Sequence, residues 1–156
     1  MYLKSLLTLL VLCIVVSVST AQKKDPANYL ITLQRTKSSP ECTIGSIFMG
    51  GMPVCFSFET AEGKVNIPAG EYIAIIRENV ANKRVILELV KTKDIIRIGE
   101  FPNTAKNHIG IAETLNGCAS DSNESSVKAY DALTLALKKG KFTNGQRVTF
   151  TIADAE

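Results

Sequence analysis

The chain contains no tryptophan, a single histidine (His108) and only 6 % aromatic residues in 156 positions. One histidine and four scattered cysteines leave no zinc-type ligand spacing. No P-loop, dinucleotide fingerprint, nucleophile-elbow serine or calcium-loop pattern occurs either, so no cofactor or metal is implied. An excess of one charge sign is also lacking. The 18 Lys plus Arg against 15 Asp plus Glu leave +3, and the basic residues spread from Lys23 to Arg147 without forming runs, which argues against nucleic acid as a partner. A hydrophobic fraction of 46 % with 21 % charged residues excludes disorder and coiled coil. At this length one core is expected.

The first residues read as an address. Lys4 precedes an apolar run from Leu6 to Val18 of about 13 residues, the length of a signal-peptide core and short of the roughly 20 of a spanning helix. Ser19-x-Ala21 predicts cleavage after Ala21, giving a secreted or periplasmic protein with no membrane span in the mature chain. Cys13 follows bulky Leu12, which disfavours a lipid anchor there. Residues 22–28 are polar and read as a tether, and residues 29–156 as one domain. Removing residues 1–21 takes away Lys4 alone among charged residues, so 17 basic and 15 acidic groups remain, a net +2. Cys42, Cys55 and Cys118 also remain, an odd number for an oxidising compartment.

From Tyr29 onward the chain is rich in β-branched runs. Tyr29–Arg35, Thr43–Met49, Pro53–Glu59, Glu71–Arg77, Arg84–Val90, Asp94–Ile98 and Arg147–Ile152 read as strands. Gly50-Gly51 predicts a tight hairpin with positive φ at both central positions. Val127, Tyr130, Leu133 and Leu137 line one stripe of a helix that Ser122 or Asn123 can cap and Gly140 can end. The expected fold is α+β: a single, mainly antiparallel β domain, sheet or partly open barrel, with one amphipathic helix in the C-terminal half.

Residues 107–121 concentrate the chemistry. A cysteine nucleophile needs a base, oxyanion donors and a positive local potential. His108 supplies a candidate base, Cys118 the thiol, and Asn116 with the Gly117 amide candidate oxyanion donors. Against this stands a structural reading in which Cys118 is a half-cystine in a turn. With Gly50-Gly51 as the turn, Cys55 is expected opposite Ser46, leaving Cys42 four residues, about 13 Å, further along. That is beyond the roughly 7 Å a disulfide spans, whereas bridges to Cys118 stay open. The carboxylate pairs Glu59/Glu62 and Asp121/Glu124 are weaker candidates for acid–base work, and Asn123-Glu124-Ser125 is a glycosylation sequon.

The order Leu33-x-Arg35, Thr43-x-Gly45, Cys55-x-x-x-Glu59, Ile67-Pro68-Ala69-Gly70-x-Tyr72, Ile96-Arg97-Ile98, His108-x-Gly110 and Thr114-x-x-Gly117-Cys118 resembles the bacterial domain-of-unknown-function family 5675. The resemblance implies a small bacterial or phage-associated domain without an assigned activity. Ile111 stands where the family has asparagine, and the family's aspartate before the threonine has no counterpart. The His108 to Cys118 block is also similar to a shortened L,D-transpeptidase signature, with Asn116 where that signature has histidine. Two functions are therefore expected: a thiol-dependent acyl-transfer or hydrolase site on Cys118 and His108 acting on cell-wall peptides, or a non-catalytic secreted module with Cys118 in a structural role.

Overall fold

The computed structural model describes residues 30–60, 67–90, 95–99 and 108–154. The leader, the tether and Glu62 lie outside these. Among the described residues, ten strands and one helix follow in the order β1 (Ile31–Ser38), β2 (Cys42–Met49), β3 (Met52–Thr60), β4 (Gly70–Glu78), β5 (Val85–Val90), β6 (Ile95–Ile98), β7 (His108–Ala112), β8 (Leu115–Asn116), β9 (Ala119–Ser120), α1 (Asn123–Lys139) and β10 (Arg147–Ala153).

Eight of the strands close a barrel in the order β1-β10-β4-β5-β6-β7-β3-β2. The domain is thus mostly β with one helix, as expected, but the barrel is fully closed and its pairing is mixed. β1 with β10 and β6 with β7 run parallel; the other neighbours are antiparallel. Hairpins announce themselves locally, while a parallel pair needs a distant partner. The β1–β10 seam joins strands from the two ends of the chain and leaves no signal in either.

Strand alternation sends one face of each strand into the barrel, and eight strands enclose just enough room for side chains. Ile31, Leu33, Ile47, Leu87, Leu89, Ile98 and Phe150 are fully buried there. α1 packs across the end where β3 begins and β7 ends. Its buried face is Ser125, Ala129, Tyr130, Leu133, Thr134 and Leu137, and Val127 of the expected stripe is only half-buried. The Thr134 hydroxyl accepts the Val85 amide at 3.1 Å, fastening α1 to the start of β5.

The helix ends follow the sequence with one difference. Ser122 is the N-cap, its side chain accepting the Ser125 amide at 3.1 Å. At the far end Gly140 keeps right-handed φ −71°, and Lys141 takes the left-handed conformation, φ 59°. Phe142 N donates to Leu137 O and Lys141 N to Lys138 O, the two bonds of a Schellman stop. Gly140 is needed for space instead, because a Cβ there would come within 2.6 Å of the Phe142 ring.

The opposite end of the barrel is closed by charge. Arg35 continues the inward series of Ile31 and Leu33, and Glu59 that of Cys55 and Ser57. Arg35 Nε and Nη2 donate to Glu59 Oε1 and Oε2 at 2.9 and 2.7 Å, Nη2 to Ile67 O at 2.8 Å, and Nη1 to Asp154 Oδ1 at 2.9 Å. The Glu59 hydrogen bond drives the guanidinium pKa further up although burial opposes it.

Candidate functional site

Residues 108–112, which are not among the strands read from the sequence, form a barrel strand, β7. The run His-Ile-Gly-Ile-Ala is short and broken by glycine, which hid its period. Gly110 is there for close approach: it pairs with Phe58 across β3, and a Cβ at residue 110 would sit inside the Phe58 ring. After β7 the chain turns through Thr114 into the β8–β9 hairpin. Asn116 pairs with Ala119, so Gly117 and Cys118 are the two turn residues. Gly117 has φ +61°, as a glycine at the first position of a II′ turn does.

The tip of this hairpin is bonded to the barrel. Cys118 forms a disulfide with Cys42, with Cα atoms 5.7 Å apart and a sequence separation of 76. Cys55 is the free cysteine among the described residues, buried in the core. Burial pushes its thiol from the usual 9.0 up to about 12. The expected Cys55–Ser46 pairing is off by one, because a bulge between Ile47 and Phe48 sets Cys55 opposite Ile47 and Cys42 opposite Thr60. The two half-strand cysteines are therefore even further apart than the simple hairpin implies.

The base of the hairpin is a polar knot. Thr114 Oγ1 donates to Asp121 Oδ2 at 2.6 Å, the Thr114 amide to Ser125 Oγ at 2.8 Å, and Ser125 Oγ returns a bond to Thr114 O at 3.1 Å. The Thr114 hydroxyl holds the Asp121 carboxylate below its ordinary range. Ser125, the sequon serine, is thus buried in this knot.

Extending the β3–β7 register by two residues sets His108 opposite Thr60, which is itself opposite Cys42. His108 is half-buried and lies beside Arg97 of β6. Its Cα and that of Cys42 are two strand spacings apart, about 10 Å, and Cys118 is tied to Cys42. The barrel therefore brings His108 and Cys118 to one outer face, with the hairpin crossing β3 from β7 to β2. In the oxidised pair, however, Cys118 has no thiolate to offer, and both Asn116, at the end of β8, and Gly117 of the turn are exposed. Of the carboxylate candidates, Glu59 is held by Arg35, Asp121 by Thr114, and Glu124 by Lys128 at 3.0 Å.

What sequence reasoning missed is the Arg35–Glu59–Ile67 closure. Its members appear in the family-like order, yet nothing in their spacing says that they meet. Among the described residues no cluster of His, Cys, Asp and Glu could hold a metal ion, and no helix is long and apolar enough to cross a membrane. Comparison with protein-family models, curated proteins and solved structures finds no match to this chain.

Proposed function

We propose that the protein is an exported, non-catalytic binding or structural module, a closed barrel whose hairpin is held down by a disulfide. The observation that carries this reading is the Cys42–Cys118 bond, which uses the one cysteine that had a candidate base nearby. The remaining thiol, Cys55, is buried and strongly protonated, the opposite of what a nucleophile requires. An extracellular or periplasmic setting agrees with a disulfide and with the apolar leader.

A second reading is favoured by the shared face of His108 and Cys118. In a reducing setting Cys118 would regain its thiol beside that face, and thiol-dependent acyl transfer or hydrolysis on cell-wall peptides becomes the candidate activity. Thiol counting separates the two. Protein denatured without reductant should show Cys55 as the reactive thiol of the mature chain, with a Cys42–Cys118 linked peptide by mass spectrometry. Cys118→Ser should lower stability by about 4–5 kcal/mol, the loop-closure estimate for this separation. A free Cys118 that alkylates faster than Cys42 and Cys55, and slows in His108→Ala, overturns the module and installs the thiol enzyme.

A further inference from the structure

Between α1 and the first residues of β3, beside Ser46 of β2, lies a half-open groove of about 200 Å³. Its walls are Pro53, Val54, Cys55 and Phe56 on one side and Ala129 and Ala132 on the other, so they are largely apolar. The apolar surface continues past the mouth. Met52, next to Pro53, is 71 % exposed, Phe56 of the wall 44 %, and Leu135, one turn beyond Ala132, 54 %.

Three features say what would fill it. An enclosed apolar space of about 150 Å³ holds a benzene ring, so the volume suits one aromatic side chain and is too small for a drug-sized ligand. The lip is charged and unbalanced. Lys128 Nζ is shared between Glu124 at 3.0 Å and Glu113 at 3.6 Å, so two carboxylates face one ammonium, with one negative charge in surplus and all three side chains half-exposed or more. The wall also carries Ser46, whose hydroxyl makes no hydrogen bond among the described residues and is available to a backbone amide or carbonyl.

We infer that this groove is a docking site for an extended peptide segment of another protein that carries an aromatic side chain next to a lysine or arginine. The ring enters between Val54 and Ala129, the cation meets Glu113 and Glu124, and Ser46 takes a main-chain group. The inference rests on the binding-module reading and gives that module a partner chemistry. It does not involve the disulfide or His108.

The test uses the disulfide-intact, isotope-labelled chain titrated at low salt with three probes: N-acetyl-Gly-Phe-Arg-Gly-amide, its Phe-Glu counterpart and its Ala-Arg counterpart. The Phe-Arg probe should give saturable amide shifts confined to 53–56, 113 and 128–132, and bind about fivefold more tightly than Phe-Glu, the size expected of one exposed charge contact. That preference should fade with added salt. Ala-Arg should not saturate. Ala132 is exposed on α1, so Ala132→Phe can fill the groove without disturbing the core and should abolish the Phe-Arg shifts. Glu113→Gln, which touches only the lip, should weaken Phe-Arg and leave Phe-Glu unchanged or tighter. No saturable shifts with Phe-Arg, equal binding of Phe-Arg and Phe-Glu, shifts elsewhere on the barrel, or concentration-dependent shifts without probe, which would mark a second copy as occupant, each overturn the proposal. Such a failure leaves the Cys42–Cys118 bond and the module reading standing. A free, reactive Cys118 removes the module reading while the groove shifts are still read on their own.

Discussion

Removing the positive half of the ion pair at the barrel end opposite α1 should be among the most damaging single changes in the molecule. In Arg35→Met the methionine stem replaces the apolar part of arginine, but Glu59, only 6 % exposed, keeps its charge without a partner. Four of the five guanidinium donors are spent: two on Glu59, one on Ile67 O and one on Asp154. Breaking a buried pair from one side costs about 3–5 kcal/mol. Asp154 is 62 % exposed, so Asp154→Asn should cost less than about 1 kcal/mol. Glu59→Gln keeps the shape and one acceptor and should cost about 1.5–3 kcal/mol through the weakened charged hydrogen bonds. The double change Arg35→Met/Glu59→Leu removes both desolvated charges and should recover most of the loss. Urea unfolding measures all four, with the slope m unchanged if only stability moves. A cost for Arg35→Met below about 1 kcal/mol, or a double variant no better than the single, would refute the idea that this pair closes the barrel.

Three further outcomes follow from local geometry. Gly110→Ala forces its methyl against the Phe58 ring and should cost about 1–3 kcal/mol by overpacking, with Phe58→Leu in the same chain restoring part of it; equal stability of Gly110→Ala and the parent in urea would contradict the contact. Ser122→Ala removes the N-cap of α1 and should lower stability by about 1 kcal/mol, whereas Ser122→Asp should be near neutral, both by thermal unfolding. Burial lifts the Cys55 thiol from 9.0 to about 12, so between these values the unfolded thiol has lost its proton while the folded one keeps it. The folded state then binds more protons, and stability is full below pH 9 and falls as pH rises through the window. Relative to Cys55→Val the drop should reach about 2 kcal/mol by about pH 10.5; parallel stability curves for the two chains would show that Cys55 is not held neutral.

Much of the barrel was written locally. Gly50 and Gly51 adopt φ 57° and 82°, as the two-glycine turn required, and β4, β5, β6 and β10 fall within a residue or two of their β-branched runs. The seams were not, because β1 with β10 and β6 with β7 depend on partners that no local pattern names. The bulge at Ile47/Phe48 also shifts a register by one residue without changing composition, which is why Cys55 faces Ile47. β7 escaped notice because its glycine, the residue that breaks the strand pattern, is the one that Phe58 demands.

The family-like order takes on a physical meaning once these contacts are known. Arg35, Glu59 and Ile67 meet at one barrel end, the Tyr72 hydroxyl closes on Pro68 O at 2.7 Å, Gly110 lies under Phe58, Thr114 ties the hairpin base to α1, and Gly117-Cys118 forms the tip that is bonded to Cys42. Arg35, Glu59, Thr114 and Cys118, which read along the chain as parts of motifs, are each engaged in holding two elements together. The groove between β3 and α1 is built from Pro53, Val54, Phe56, Ala129 and Ala132, ordinary residues that no motif marks. A barrel that spends its polar and sulfur chemistry on closure and leaves a plain apolar groove open fits the binding module proposed above, with the scaffold specified by rare residues and the contact surface by common ones.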